Sequence, residues 1–516
     1  MHRSLQIPEI TGLICRGISP YIEDDQHLRS AETSATLAAL ARTSQAFSSP
    51  ALDLLWRDPE HVRNVLRCLP DDVWDRLEDD TYFHRPVVAR DWERVLVHSR
   101  RVRYFNLDED SYSPKALETL RMSFPSQHLF PNIETLHWFA ESPDFFPHVA
   151  FFLGPRLRDL SLGKFSTLGH LSFLATVATQ CPLLVEVDIG FSDDMEVNGQ
   201  FQSLSWFVRS LRHLKKLTVP SLDRAALDYI AQLPTLVSLT LNNQCPIAAA
   251  PTSTLGDRVF AGLNSLDMTG TTIGALSEIT TLLTHAPIMD IDISFPELTT
   301  SYEITQFYAV IAANCSNSSL SRLCMGGPFN LTRDVDAVTV ANDWITGSQI
   351  RPLLLFSNLT VVQLSTPRGF NLDDTTVADM ARAWPHLKTL NLFASDYHTH
   401  ILSSLPLSAL VHFARYCPKL SALTLSLDGA TPVPKWETET ERVQQWHLES
   451  LHVHFSPIAA PLAVAVFLSS VFPTLKMVGS SHLRDRPHKD WNEVRLALPA
   501  LRAARAEVYW TRRAHN

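Results

Sequence analysis

Paired carboxylates and paired imidazoles are the residues of this chain whose types and spacing could do chemistry. Adjacent aspartates occur at 24–25, 71–72, 79–80, 193–194 and 373–374. Such pairs serve acid–base catalysis when they are buried and face each other. These pairs fall in polar loops and at helix starts, where capping and the helix dipole favour aspartate. We therefore expect solvated or capping roles for them.

Two His-x-His pairs, His398/His400 and His452/His454, could each put two imidazoles on one strand face and hold a metal. No neighbouring cysteine or carboxylate completes either set, so no metal site is predicted. The chain also lacks a P-loop, a dinucleotide-binding glycine spacing and a G-x-S-x-G motif. The sequence predicts no catalytic residue, no cofactor and no enzyme.

Charge and cysteine usage limit the partners and the compartment. The formal net charge of the 516 residues is −10, whereas nucleic-acid binding needs clustered basic charge, so no nucleic-acid partner is expected. Neither a membrane-spanning apolar run nor a signal peptide is recognisable, which predicts no membrane partner. Seven cysteines without a C-x-x-C pair argue against a zinc site or a disulfide framework. We expect a protein of the cytoplasm or nucleus, with the sequons at 314, 317, 330 and 358 unused.

The elements that position the polar residues come from a repeat, apolar-x-x-apolar-x-apolar, that recurs along most of the chain. Its copies begin at 102, 133, 157, 184, 214, 236, 263, 288, 320, 359, 387, 420, 448 and 475. The mean interval is about 29 residues, at the upper end of the range of roughly 20–29 for leucine-rich repeats. The pattern indicates a short strand whose last two apolar residues face the core.

Helices are predicted between the strands, because apolar residues recur at helical spacing in 171–180, 225–232, 376–384 and 407–416. Pro182 and Pro418 then end a helix before the strand. The prediction is an α/β fold over 96–483: a leucine-rich-repeat solenoid of about 14 units, an irregular right-handed horseshoe with parallel strands on the concave side and helices on the convex side. The alternative is a large α/β domain with accidental matches.

The C-P-x-L junctions and long helices resemble the ribonuclease-inhibitor-like and cysteine-containing leucine-rich-repeat subtypes. This resemblance implies that Cys181 and Cys417 are buried small hydrophobic residues.

Residues 1–57 differ in composition from the array. They contain Ile7-Pro8-Glu9, a Leu-rich middle helix and a terminal Leu55-Trp56-Arg57, with an acidic insert at 23–25. These features resemble an F-box, a small helical module that docks on a Skp-family adaptor in SCF-type ubiquitin ligases. The adaptor-binding residues implied by the resemblance are Leu5, Ile7, Pro8, Ile10, Leu13, Ile14, Leu37, Leu40 and Trp56. The alternative is a helical cap that shields the first repeat, and the two roles are compatible.

The order of F-box, helical bridging segment (58–95) and repeats resembles fungal F-box/leucine-rich-repeat proteins. It implies a substrate-recognition subunit of an SCF-type E3 ligase, with a Skp-family adaptor, a cullin scaffold and a target protein as partners. The alternative is an interaction scaffold with a degenerate F-box and no ligase role.

The repeat register assigns alternate strand residues to the concave face. Seven of them, in the first eight copies, are acidic and two are basic, which predicts attraction of a basic segment of the target. The alternative is that this bias reflects overall acidity and solubility. The candidate target-binding residues are Asp108, His137, Phe139, Asp159, Glu186, Asp188, Asp267, Asp290, Asp292, Arg322, Asn391 and Phe393.

Residues 484–516 depart from the repeat. Trp491, Val494, Leu498 and Leu501 are spaced as an apolar helical stripe, which predicts a terminal cap. Because Arg and Lys cluster in the same segment, a basic nucleic-acid or membrane contact is the alternative.

Overall fold

A computed structural model describes most of the chain. The described residues are 7–18, 31–59, 64–65, 67–77, 80–107, 114–140, 142, 144–165, 167–191, 200–244, 259–270, 272–296, 299–327, 344–394, 404–434, 443–454, 456–480 and 489–514. Leu5, the insert at 23–25, Asp108, Asn330 and His398/His400 lie outside them. The chain divides into two compact units, Met1–Ile230 and Ala231–Asn516.

Unit 1 begins with a module of three helices, α1 (Pro8–Ile18), α2 (Ala31–Thr43) and α3 (Gln45–Leu55). Cys15 of α1, Leu37 of α2, and Phe47 and Ala51 of α3 form its buried core. Each helix contributes its apolar side to this shared interior, so no single helix has to be stable alone.

The segment that follows the module is only partly helical. Strands β1 (Trp74–Leu77) and β2 (Asp80–Phe83) form an antiparallel pair in which Trp74 lies opposite Phe83. A 3₁₀ turn (Ala89–Trp92) and helix α4 (Glu93–Ser99) come next. The helical prediction for 58–95 is therefore wrong at the hairpin, where aromatic residues favour paired strands.

The rest of unit 1 alternates strands with helices. Its strands, each parallel to the one before, are β3 (Tyr104–Leu107), β4 (Thr135–Trp138), β5 (Asp159–Phe165), β6 (Glu186–Phe191) and β7 (Lys216–Val219). Its helices are α5 (Pro114–Ser123), α6 (Leu168–Gln180), α7 (Gln200–Ser210) and α8 (Arg224–Ala231), and a 3₁₀ helix spans Phe146–Phe151.

Unit 2 continues the same alternation. Its strands are β8 (Ser238–Gln244), β9 (Ser265–Gly270), β10 (Asp290–Ser294), β11 (Arg322–Gly326), β12 (Ile345–Thr346), β13 (Val361–Thr366), β14 (Phe370–Asn371), β15 (Thr389–Ala394), β16 (Ala422–Thr424), β17 (Ser450–His452) and β18 (Met477–Gly479). All pair in parallel in one sheet except β12 and β14, which pair with each other. Its helices are α9 (Ile273–Thr280), α10 (Ser301–Asn314), α11 (Gly347–Ile350), α12 (Asp374–Ala383), α13 (Leu410–Tyr416), α14 (Pro461–Val471) and α15 (Lys489–Ala514), with 3₁₀ turns at Thr281–Leu283, Arg351–Leu355 and Leu407–Ala409.

The predicted repeat register is confirmed, because a strand begins two residues after the first apolar residue of every copy. One carbonyl of a repeat accepts two consecutive amides of the next repeat. The Arg103 carbonyl accepts from Glu134 (2.7 Å) and Thr135 (2.9 Å), and the Asn264 carbonyl accepts from Met289 (2.8 Å) and Asp290 (3.0 Å). Each repeat thus fixes the register of its successor.

At the two predicted Cys-Pro junctions, a helix ends before the next strand begins. Cys181 and Cys417 cap α6 and α13 with φ of −121° and −116°, a non-helical conformation, and the following proline disfavours continuation of the helix. Both side chains are fully buried, and burial raises the pKa of each thiol to about 12. These cysteines are apolar packing groups, as predicted.

Helix α15 confirms the predicted terminal stripe at three positions. Trp491, Val494 and Leu498 are buried, while Leu501 is half-buried. The Trp491 indole Nε1 donates to the Ser456 carbonyl at 2.7 Å, so the largest side chain of the stripe also satisfies its polar atom. Among the described residues, no helix is long and apolar enough to span a membrane.

Candidate protein-interaction surfaces

A stripe of apolar side chains lies on the outer side of α1. It consists of Ile7, Ile10, Leu13 and Ile14, and we call it the helix stripe. Ile7, Leu13 and Ile14 are exposed, Leu13 by 62% of its surface, and Ile10 is half-buried. The stripe arises because positions three and four apart share one side of a helix, while Thr11 and Cys15 face inward and are fully buried. Pro8 is also exposed at the helix start.

Three other predicted adaptor-binding residues lie elsewhere. Leu37 has no exposed surface, so it supports the module's core and cannot contact an adaptor; the prediction is wrong at this residue. Leu40 is half-buried and packs against the same core. Trp56 stacks on His98 at 4.4 Å between ring centroids, so one face of its ring is covered. The structure brings together the α1 residues of the predicted site and separates them from these three.

The end of α3 connects the module to the first strand. The Arg57 carbonyl accepts from the amides of Arg103 (2.8 Å) and Tyr104 (3.0 Å), which is the same double contact that joins successive repeats. Trp56 nearby lines a cavity of 310 Å³ together with Leu55, Arg67, Cys68 and Arg94. The module therefore supplies the hydrogen-bonding edge that the first strand would otherwise lack.

The outward side chains of β3 to β7 form what we call the strand face of unit 1. His137 lies between two partners on this face: its Nδ1 is 3.2 Å from the Tyr104 hydroxyl, and its Nε2 is 3.4 Å from Asp159 Oδ2. In the neutral imidazole, Nδ1 accepts from the tyrosine and Nε2 donates to the carboxylate. Both ring nitrogens are thus engaged, which fixes the orientation of the ring.

A second set of polar contacts lies on the next strands. The Ser161 hydroxyl donates to Asp188 Oδ2 at 3.2 Å, and Lys216 Nζ is 2.9 Å from Glu186 Oε2. Desolvation raises the pKa of Asp188, and the bond from Ser161 opposes this shift. A partly desolvated carboxylate interacts more strongly with a bound cation than a fully hydrated carboxylate does.

Phe139 ends this face and exposes 51% of its surface. Its ring centroid is 5.8 Å from that of His137. The residues that follow the core positions on β5 and β6 are Gly163 and Gly190, so no side chain projects from those places. A Cβ added at Gly163 would lie 3.8 Å from the Phe139 Cα. The ring therefore borders a backbone platform formed by these two glycine positions.

The outward side chains of β8 to β11, β13 and β15 to β18 form the strand face of unit 2, and its acidic residues are partly compensated. Arg322 donates to both oxygens of Asp290 (3.0 and 3.1 Å) and to Asp292 Oδ2 (3.2 Å). Desolvation raises the pKa of Asp292 and of Asp267, and Arg322 opposes both shifts. Arg322 thus reduces the net negative charge that the sequence predicted here. The predicted Asn391 and Phe393 lie on β15 and are half-buried.

The His452/His454 pair has a structural role that the sequence did not reveal. The His454 Nε2 lies 3.1 Å from the Leu392 carbonyl of β15, beyond the short strand β16. Burial, reinforced by His452, lowers the pKa of His454 to about 4. Within the part of the chain that the structure describes, no group of three or more His, Cys, Asp or Glu side chains is arranged to hold a metal.

The parallel strands in shared register, the helices between them and the buried leucine ladder define a protein of leucine-rich-repeat fold. No protein-family model matches the chain, and no curated protein matches it.

Two solved structures resemble its fold. The yeast Rad7 and Elc1 complex matches with a TM-score of 0.38 and 11% identity over 93% of this chain and 91% of that one. An internalin from Listeria monocytogenes matches with a TM-score of 0.34 and 13% identity over 92% and 98%. Since both TM-scores are below 0.5, the fold class rests on the strand register and its hydrogen bonds.

Proposed function

We propose that this chain is the substrate-recognition subunit of an SCF-type E3 ubiquitin ligase. The helix stripe binds a Skp-family adaptor, which connects the chain to a cullin, and a strand face binds the target protein. The observation that carries the proposal is the exposed apolar stripe of α1 on a small helical module at the N-terminal side of a repeat array. We place this role in the cytoplasm or nucleus.

The stripe suits a groove on a partner protein. Ile7, Leu13 and Ile14 expose large apolar surfaces, and an amphipathic helix docks by laying such a side into a hydrophobic groove. Burial of one such side chain contributes roughly 1.5–3 kcal/mol when it is complete. Three or four anchors of this kind supply a specific contact without any charged residue.

A second candidate function is an interaction scaffold without a ligase role. It is favoured by the Arg57 carbonyl, which continues the hydrogen-bond series of the repeats and so makes the module a cap of the first strand. A cap is required for the solubility of a repeat array, and it needs no adaptor. Capture of an adaptor separates the two candidates.

The test is co-purification of the full chain with a Skp-family adaptor and a cullin. We expect Leu13→Asp to reduce capture of both by at least about 10-fold, because it places a charge in the proposed apolar contact. Val97→Asp is the matched control, since Val97 is exposed by 57% on α4 of the same unit. Equal capture by Leu13→Asp and Val97→Asp would place the adaptor site elsewhere. Absence of capture by the unaltered chain would favour the scaffold.

A further inference from the structure

Within the described part of the chain, two carboxylates on the strand face of unit 1, those of Asp159 and Asp188, form no ion pair with an Arg or Lys side chain. Glu186 is paired with Lys216 at 2.9 Å. Asp159 uses one oxygen toward His137, and Asp188 uses one oxygen to accept from Ser161. Among the described residues, the Oδ1 atoms of both aspartates have no hydrogen-bond donor. Asp188 lies one strand over from Asp159 and two residues further along, because Asp159 is in register with Glu186 and Ser161 with Asp188. Their backbones are therefore roughly 8 Å apart, and Asp188 is exposed while Asp159 is half-buried.

Aromatic surface adjoins these carboxylates. Phe139 is half exposed and contacts the His137 ring, and Tyr104 holds that ring from the other side at 5.3 Å. Since Gly163 and Gly190 carry no side chains, nothing of those two residues covers the platform beside Phe139. His137, Ser161 and Asp188 are in register, so Phe139 lies two strands over from Asp188 and two residues further along, a backbone separation of roughly 12 Å. A separation of this size leaves room for one flat group between the ring and the carboxylates.

We propose that the strand face of unit 1 binds an arginine side chain of the target, with its guanidinium between Phe139 and the carboxylates of Asp159 and Asp188. The occupant is thus an arginine-containing protein segment. This inference rests on the proposed function in so far as the segment belongs to a ligase target.

Charge complementarity requires a cation, and the geometry selects arginine over lysine. The guanidinium is planar, stacks on aromatic rings and donates to two acceptors at once, whereas the ammonium of lysine is a strongly hydrated point charge. Asp188 lies where the sheet face already removes part of its hydration. His137 contributes by fixing Asp159, because its own ring is held through Tyr104.

The face of unit 2 is a poorer fit for the same ligand. Its own Arg322 already donates to Asp290 and Asp292, so an incoming guanidinium would compete with an internal one. Asp267 remains on that face, but its register neighbours Thr240 and Asp292 carry no aromatic ring for stacking.

The experiment measures binding of fluorescein-labelled nonapeptides, made of glycine, serine and three arginines, to the purified full chain by fluorescence anisotropy at 0.15 M salt. A peptide with three lysines in the same places is the second probe. We expect the arginine peptide to bind at least about 5-fold more tightly than the lysine peptide. Asp188→Asn, which keeps an acceptor for Ser161, and Phe139→Ser should each weaken binding of the arginine peptide about 10-fold.

Glu118→Gln is the matched control, because it removes one exposed acid from helix α5 of the same unit. It should change the affinity by less than about 2-fold. Equal affinity for the two peptides, or an equal loss in Glu118→Gln and Asp188→Asn, would overturn the proposal in favour of general charge attraction. Circular dichroism verifies that the variants are folded. Adaptor capture is a separate measurement, so a failure here leaves the assignment of the helix stripe unaffected.

Discussion

His454 occupies a left-handed backbone conformation, with φ of 49°, that few residues other than glycine adopt. The ring compensates for this, because it reaches past the short strand β16 and bonds to the Leu392 carbonyl. Because this residue combines a strained backbone with a half-buried, neutral imidazole, the stability of the end of unit 2 should depend on pH. The sequence shows only a His-x-His pair. This pattern is associated with metal binding and does not indicate such a hydrogen bond.

The free energy of unfolding should fall as the pH drops below about 6.5, because the His454 imidazole is then protonated in the unfolded chain before it is protonated in the folded one. The pKa of His454 is about 4 in the folded protein against an ordinary value of 6.5. Above pH 6.5 both states are neutral and the contribution is constant. Between pH 6.5 and 4 the unfolded state binds the proton first, so stability is progressively lost.

Urea denaturation at pH 7.5 and pH 5.0 checks this prediction. His454→Asn removes the titration and tolerates positive φ, so its stability should depend less on pH than that of the unaltered chain. His447→Asn, at an exposed position seven residues earlier, is the control. If the two variants have the same pH dependence, His454 is not the responsible group.

At the scale of elements, Gln445 joins the beginnings of two successive repeats, those that start at 420 and 448. Its side chain is buried; its Nε2 donates to the Leu420 carbonyl at 2.7 Å, and its Oε1 accepts from the amides of His447 (3.0 Å) and Leu448 (2.8 Å). One amide thus satisfies backbone groups that precede two successive strands, β16 and β17. Buried backbone groups require such partners because water cannot reach them.

Gln445→Met should destabilise the chain by about 2–4 kcal/mol, because it keeps the volume but leaves several buried backbone groups without partners. The neighbouring Gln444 is exposed, with a single long bond to the Ser470 carbonyl. Gln444→Met should therefore have an effect below about 0.5 kcal/mol. Urea midpoints of the two variants give the comparison, and similar losses would contradict a bridging role for Gln445.

The sequence predicted elements well where an apolar period defines them. The leucine positions located the strands of both units, and the Cys-Pro junctions located helix ends, because each is a local consequence of strand alternation or of proline geometry. Leu37 was predicted to contact an adaptor but is buried in the core. The helical spacing of apolar residues in α2 does not distinguish residues that face the core from residues that face a partner. Gln445 and the Tyr104–His137–Asp159 contacts depend on neighbours 22 to 33 residues apart or on the turn conformation, and no local period encodes them.

At the scale of the whole molecule, repeats that contact mainly their neighbours make stability a sum of local contributions. The hydrogen bonds from one carbonyl to two amides of the next repeat are of this kind, and so is the packing of α15 on β18 and α14. A defect at one end should accordingly weaken the adjacent repeats and leave distant ones unchanged. The alternative is a chain that unfolds in one cooperative step.

Hydrogen–deuterium exchange on Trp491→Ala distinguishes these cases. Trp491 is buried and donates to the Ser456 carbonyl, so its loss should cost about 3–5 kcal/mol locally. We expect faster exchange at the amides of β17 and β18 and unchanged exchange at β4. Leu496→Ala, exposed by 65% on the same helix, is the control and should alter neither. If exchange at β4 accelerates as much as exchange at β18, the two compact units share one unfolding transition. If Trp491→Ala does not fold, the milder Val494→Ala makes the same distinction, because Val494 is buried in the same stripe.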